Sequence, residues 1–450
     1  MAASLAATHV LAEIRLFPGA SNGAEARSGN LRRAWLGLTG SGHKLDVRPP
    51  KRSMGAMNSQ QAFQVITTAL FATALSPDKP AGASLQGARR GEVAHSHPAW
   101  SQDDRRIAFI RKSGDARPQI VVADAGGANP ARHSAGPLAQ PQHRSGLNYS
   151  GESSLSRLTW SPDGRKLAFI DRSLIIGASA YPAHGLCVLS ADGRRFRRIN
   201  IPTSEIGALA WSPDARRIAV AANRNVFLPG DVKERRADIW VVNAASGRAR
   251  KLAPSPGDVT FLTWSPNGQR LLFTSRPEWD RTRATVIILT ADGRRRAVLS
   301  REPADTFFAA WSPDGTRLVF SARAPGDSVV LEVARSSGKG SRRLWRCRTG
   351  DQLLGVSWPA RERVLAAVMA GIAGLQRGRP PIVLKVDAID PRTGKARVLA
   401  RASEYPRNIA WSHHGRFVAY EASSRNRASH IHRLDLRSGR VKRLTGAPSP

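Results

Sequence analysis

From residue 84 onward the apolar residues fall in short runs rich in Val, Ile and Leu, closed at both ends by Gly, Pro, Asn or Asp. Leu167–Ile170, Ile218–Ala221 and Leu318–Ser321 are one set, and Asp238–Val242, Ile382–Val386, Arg296–Leu299 and Val441–Leu444 are others. Runs this short, with no i, i+3, i+4 spacing, predict β-strands and not helices.

The strands recur in a fixed order around a tryptophan. A short strand ends at Trp100, Trp160, Trp211, Trp264, Trp311, Trp358 and Trp411, and a tight turn follows. The turn reads Ser161-Pro162-Asp163-Gly164, Ser212-Pro213-Asp214-Ala215, Ser265-Pro266-Asn267-Gly268 and Ser312-Pro313-Asp314-Gly315, with Ser101-Gln102-Asp103 close to it. It is worn in Pro359-Ala360-Arg361 and Ser412-His413-His414-Gly415. Proline presets φ, aspartate bonds the local backbone and glycine accepts positive φ, so each copy joins two antiparallel strands. A variable loop, a third strand, a second turn such as Ala191-Asp192-Gly193 and a fourth strand complete each unit. The tryptophans are 60, 51, 53, 47, 47 and 53 residues apart, a period that fits a four-stranded sheet. One such sheet cannot bury both faces, but seven packed around an axis can. The fold class is therefore all-β, a seven-bladed propeller of four-stranded antiparallel blades over residues 84–450, with the tryptophans wedged between blades.

These Trp-Ser-Pro-Asp-Gly units resemble the TolB-like propeller repeats, a WD-repeat-like group also found in the propeller domains of prolyl oligopeptidase-type enzymes. The resemblance covers residues 84–450 and implies the fold. TolB itself carries a folded domain ahead of its propeller, and residues 1–83 show no counterpart, so the likeness does not carry TolB's role.

Residues 1–83 differ from the rest. The first 53 are rich in Ala, Gly, Ser and Arg without periodicity and read as a disordered leader. Ala62–Leu75 is apolar and uncharged, too short to span a bilayer, and suits the core of a signal peptide. Lys51 and Arg52 precede it, and Ala81-Gly82-Ala83 offers a small-x-small cleavage site. The expectation is a secreted or periplasmic, envelope-associated protein, monomeric because ring closure limits exposed edges.

Charge adds a second layer. There are 69 Lys and Arg against 34 Asp and Glu, a net +35. The basic residues are spread along the chain without a nucleic-acid motif, so no nucleic-acid partner is expected. They thicken at the second turn: Arg194, Arg195, Arg197 and Arg198, Arg294 to Arg296, Arg342 and Arg343, and Lys442 and Arg443. Charged outer strands resist edge-to-edge pairing, and the alternative is contact with an anionic envelope surface. Against this background each unit places one acidic residue six to eight positions before its tryptophan: Glu92, Glu152, Glu205, Asp258, Asp305, Asp351 and Glu404. These positions enter the innermost strand, and they predict a carboxylate collar at one mouth of the channel. It would hold a cation or a Lys- or Arg-bearing peptide, or else cap backbone and pair with neighbouring arginines. The most variable connections share that face: Gly126–Ser156, Asp171–Gly185, Asn223–Ala237 and Ala370–Pro381.

Catalytic signatures do not emerge. Across residues 84–450 there is no Gly-x-Ser-x-Gly elbow, phosphate loop or HExxH pair. Cys187 and Cys347 lie in different repeats without a CxxC pattern, and His95/His97 and His430/His432 sit on strands that ring closure would bring together. Packing explains those histidines better than a shared metal. No cofactor is expected beyond a cation at the collar. The reading is a non-catalytic binding propeller engaging a protein or peptide through the loop face and channel mouth. The alternatives are a propeller-based lyase or hydrolase, or a gating subunit for a separate peptidase.

Overall fold

The computed structural model describes residues 93–446 apart from 114–116, 135–154, 176–181, 202, 204, 229–231, 278–283, 301–307, 325–327, 349–350, 360–362, 371–382, 404–405 and 424–428. The proposed leader and signal core therefore lie outside the described residues, and so do Glu92, Glu152, Asp305 and Glu404.

The described chain forms seven four-stranded antiparallel sheets, and no helix occurs among these residues. Each sheet is built from four consecutive strands. The innermost strands are Val93–Trp100, Leu155–Trp160, Glu205–Trp211, Leu262–Trp264, Ala309–Trp311, Gln352–Ser357 and Pro406–Trp411, for blades 1 to 7. Two of the variable connections turn out to be paired strands. Arg217–Leu228 and Val232–Asn243 run as one hairpin through the pairs Asn223↔Ala237 to Leu228↔Val232. Lys166–Ile175 and Pro182–Ser190 do the same in blade 2. The backbone groups of a long connection must bond somewhere, and continuing the ladder satisfies them.

Both faces of each blade are buried, which explains why the second strands are nearly continuous in apolar residues. Alternation decides which neighbour each residue meets. In blade 2, Leu167 and Phe169 pack toward blade 1, while Ala168 and Ile170 pack toward blade 3. Seven apolar clusters result, one for each pair of adjacent blades, including blades 7 and 1. Every cluster receives one repeat tryptophan. Trp100, Trp160, Trp211, Trp264, Trp311 and Trp358 are buried, while Trp411 is only half-buried. Cys187 and Cys347 are buried in separate clusters and unbridged, and burial pushes both thiols up to about 12.

The repeated turn has a fixed bonding scheme. Ser312 donates to Asp314 at 2.5 Å, the Arg317 amide donates back to Ser312 at 2.9 Å, and the Thr316 amide donates to Asp314 at 3.0 Å. Ser101, Ser161 and Ser212 repeat the pattern with Asp103, Asp163 and Asp214, and Ser265 repeats it with Asn267. Gly164, Gly268, Gly315 and Gly415 sit at positive φ in this turn, as the sequence requires. Blade 7 lacks the aspartate. There Asp104 of blade 1 replaces it, accepting from the His413 and His414 amides and the His414 ring.

Arginines tie each blade to the next. Arg106, six residues after Trp100, lies 4.6 Å from the Trp160 ring centroid and donates to the Gly164 carbonyl at 2.6 Å. Arg217 and Arg317 hold the same place over Trp264 and Trp358, at 4.8 and 5.3 Å. Arg197 donates to Ala245 of blade 3, Arg270 to Ser336 of blade 5 and Arg342 to Pro391 and Arg392 of blade 6. At the seam between blades 7 and 1 the equivalent position is Phe417, which stacks on Trp100 with centroids 5.6 Å apart. Arg416 and Arg433 lie over its ring, and Arg433 reaches the Ala125 carbonyl of blade 1 at 2.7 Å.

Two measurements test this account. Trp264→Ala should lower stability by about 3–5 kcal/mol, and Trp411→Ala by clearly less because Trp411 is only half-buried; urea unfolding followed by fluorescence reads the difference. The Ser312 and Thr316 hydroxyls hold the Asp314 carboxyl down at about 2. A depressed carboxyl stabilises the fold above its ordinary value of 3.8, and that contribution is lost as pH falls through 2. Asp314→Ala should therefore cost about 1 kcal/mol at neutral pH, and the gap between the two proteins should close under strong acid.

Candidate binding site at the channel mouth

The innermost strands line the channel. They run from the loop face, where the hairpins between strands two and three stand, to the turn face that carries the tryptophans. Three acidic collar residues are described. Glu205 opens the inner strand of blade 3 and pairs across the ladder with Asn223. Asp258 precedes the inner strand of blade 4 and is fixed by a two-way backbone bridge to Arg276, with both bonds 2.8 Å. Asp351 precedes the inner strand of blade 6, where its amide donates to the Arg348 carbonyl at 3.0 Å. These three residues lie at or before the loop-face start of their inner strands, and all three interact with neighbouring groups.

A second set of channel residues joins His97, a candidate already through its pairing with His95, to Arg157 and Asn408, which the acidic spacing does not mark. The inner strands of blades 7, 1 and 2 share a β-bulge three residues before the tryptophan. His97, Arg157 and Asn408 occupy it with φ of 52°, 55° and 45°. Ladder pairing is interrupted between Ser96 and Ala99, between Ser156 and Thr159, and between Arg407 and Ala410. In each case two residues oppose a single buried aromatic, which is Phe109, Phe169 or Tyr420. A left-handed conformation costs a residue with a Cβ about 1–2 kcal/mol, and bulges re-aim the side chains they carry. The same position in blades 3 to 6 holds Ala208, Phe261, Phe308 and Gly355, so a polar residue three before the tryptophan was the signal available in the chain.

Around these bulges the described charges of blades 1 to 3 form one electrostatic group. Arg157 is open to channel water, while burial holds its guanidinium below the usual range; Arg172 pushes the same way and Glu205 opposes. Arg172 is lowered by burial too, again against Glu205. Burial, reinforced by Arg157 and Arg172, pushes His97 down to about 4. His184 falls to about 4 through burial and Arg172, and its Nδ1 accepts from the Ile206 amide at 2.9 Å. Both imidazoles are thus neutral at pH 7. His97 Nδ1 and Arg172 Nε are buried without a hydrogen-bond partner. Asp171 next door is fully buried and pairs with Arg198 at 3.7 Å. On the other flank Asn408 donates to buried Glu421 at 2.7 Å, and burial raises that carboxyl.

The histidine pairs meet in part at the seam. His95 and His430 have ring centroids 6.1 Å apart, and the Ser429 hydroxyl donates to the His95 carbonyl at 2.9 Å. Arg443 lies 2.9 Å from His430 Nε2. Among the described residues no three His, Cys, Asp or Glu side chains are placed to hold a metal ion. The basic second-turn clusters divide. Arg197, Arg198 and Arg342 are committed to neighbouring groups, whereas Arg194 and Arg294 are largely exposed beside Asp192 and Asp292 at 3.9 Å.

No family model matches the chain. Among solved structures it is similar to the puromycin-hydrolyzing peptidase of Mycobacterium tuberculosis, with a TM-score of 0.56, 14% identity and coverage of 81% of this chain and 55% of that one. It is also similar to the β-propeller domain of the trilobed protease from Pyrococcus furiosus, described as having an open velcro topology, at 0.54 and 15% over 80% and 100% of the two chains. A third match is oligogalacturonate lyase from Vibrio parahaemolyticus, at 0.54 and 10% over 77% and 92%. At these identities the likeness is one of fold.

The neutral histidines predict an acid-side response. A histidine with a depressed folded value adds stability above its ordinary 6.5, and that contribution disappears as pH falls toward 4. The urea midpoint should fall through this window, and it should fall less in His97→Asn, since asparagine tolerates positive φ. Equal slopes in the two proteins would place His97 in open water.

Proposed function

We propose that this chain is a TolB-like, non-catalytic binding propeller, exported to the cell envelope or beyond, that takes a protein or peptide partner at the loop-face mouth of its channel. The observation carrying this reading is the convergence of three strained, polar-bearing bulges on blades 7, 1 and 2 with the charged group of blades 1 to 3. A scaffold that needed only to close its ring would gain from glycine at those bulges. Strain kept at a solvent-filled opening fits a role in recognition. The extended hairpins of blades 2 and 3 rise on the same face. The turn face, by contrast, commits its serines and aspartates to closing its own loops.

Site-specific photo-crosslinking tests the reading in cells producing the full chain. A photoreactive residue at Gln352, on the loop-face mouth, should give a discrete adduct, and one at Gln269, on the turn face, should not. Adducts from Gln269 alone, or equal smears from both, would reject it. Turnover of a polysaccharide or peptide by the purified chain would replace it with the enzymatic alternative.

A further inference from the structure

The turns between third and fourth strands, residues 125–130, 191–195, 244–248, 291–295, 336–341, 390–395 and 436–440, hold ten Arg and Lys against three Asp. Every residue of these turns is described, so the balance is complete for them, and all ten cations are exposed. Blades 2 to 7 each contribute at least one. The turns between first and second strands hold six charges of each sign, counting Arg361 and Glu362 outside the described residues. The excess on the turn face therefore sits in the second turns. Backbone bonds set their height. The first amide of the second turn donates to the carbonyl five residues after the repeat tryptophan, as Ala191 does to Arg165 and Ala291 to Gln269, both at 2.8 Å, and the same bond recurs in blades 1, 3, 5 and 7. The aspartates serve their own loops: Asp192 accepts from the Ser190 hydroxyl at 2.5 Å and the Arg194 amide at 3.1 Å, while the Arg194 side chain is 87% exposed. Cations at strand ends have no ladder edge to protect, so resistance to edge-to-edge pairing does not account for them.

We propose that the turn face docks on an anionic bilayer, with the second-turn cations of blades 2 to 7 against its lipid phosphates. Cations held at one level around a ring meet a charged plane together, and each adds to the attraction. A rod-like polyanion would cross such a ring at two arcs only. The seven turns contain no aromatic residue on which a nucleic-acid base could stack. The exposed large apolar side chains among the described residues, Val298, Val398 and Val441, lie on fourth strands and not in the turns. The contact is therefore electrostatic and lies at the bilayer surface. It is independent of the channel-mouth partner, which it leaves facing the water.

Vesicle sedimentation of the full chain in about 0.1 M salt tests this, with mixed phosphatidylglycerol–phosphatidylcholine vesicles against pure phosphatidylcholine. The anionic vesicles should bind at least about tenfold tighter, and salt at about 0.5 M should release the protein. One basic residue near such a surface is worth about fivefold. Arg194→Gln, Arg195→Gln, Arg294→Gln and Arg295→Gln combined should therefore weaken binding by about a hundredfold or more. The turn bonds of these residues come from their amides, which glutamine keeps. The control removes four exposed arginines at the loop-face ends of strands, through Arg117→Gln, Arg346→Gln, Arg348→Gln and Arg401→Gln. A six-residue strand such as Gln119–Asp124 is about 20 Å long, twice the screening length of about 10 Å. The control should therefore lose less than about fivefold. Residues 1–83 are common to all the chains and drop out of the comparison. Should a thermal melt show either variant unfolded, the pairs Arg194/Arg195 and Arg346/Arg348 repeat it. The proposal is overturned if the two vesicle types bind alike, if salt has no effect, if turn and control variants lose equally, or if duplex DNA at equal phosphate concentration binds tighter than the vesicles. A discrete adduct from Gln352 under any of those results leaves the channel-mouth reading standing.

Discussion

Everything in this fold depends on face-to-face packing between neighbouring sheets. Among the described residues no blade shares a strand with another, so no backbone ladder crosses an interface there. Beyond the chain connections, each of the seven interfaces is held by an apolar cluster with one indole, and several by an arginine reaching a carbonyl of the next blade. Burying apolar surface is worth about 25 cal/mol per Å², and a sheet with two apolar faces has no stable existence outside such a stack. The seam between blades 7 and 1 is an interface of the same kind with different contents. It replaces the arginine-over-tryptophan contact with a stacked Phe417–Trp100 pair and obtains its turn carboxylate, Asp104, from the other end of the chain.

The basic composition takes on a different meaning at this level. A net charge of +35 invites an external polyanion. Many of the arginines instead face inward across blade boundaries. Arg106, Arg197, Arg270, Arg342 and Arg433 each reach a carbonyl of the next blade, and two of them also lie over an aromatic ring. Arginine suits this task because its fork satisfies carbonyls at an interface that has no shared ladder, while its flat face packs on indole. Part of the positive charge therefore serves ring closure, while residues such as Arg194 and Arg294 are largely exposed.

The fold was legible because the signal is repeated and local. Trp264-Ser265-Pro266-Asn267-Gly268 and its relatives encode a turn whose bonds lie within five residues, so chain pattern and structure coincide. Strand extension was less legible. Asn223–Ala237 is polar and reads as a loop, yet its pairing is set by the hairpin it continues, a cross-strand relation that no single window contains. The site was legible only in part. The acidic spacing marks Glu205, but the charges that act on it come from another blade: Arg157 and Arg172 of blade 2. The spacing carries a residue's height in the channel and says nothing of the charge across from it.

That distinction bears on how a repeat scaffold acquires a site. Seven equivalent positions three before the tryptophan are available, and the ring tolerates alanine, phenylalanine or glycine at four of them. The three exceptions, His97, Arg157 and Asn408, are consecutive around the channel, and all adopt a conformation that disfavours a side chain. Packing cannot be the reason, because the buried aromatic opposite each bulge recurs as Phe273 and Phe320 in blades 4 and 5, where no described residue of the inner strand takes positive φ. The left-handed bulges thus occupy one arc of the described wall, while the inner strands of blades 3 and 6 shift register at Gly207 and Leu354 without a positive φ. A propeller becomes specific by local departure from its own repeat, and here the departures are polar, strained and gathered on one side of the opening.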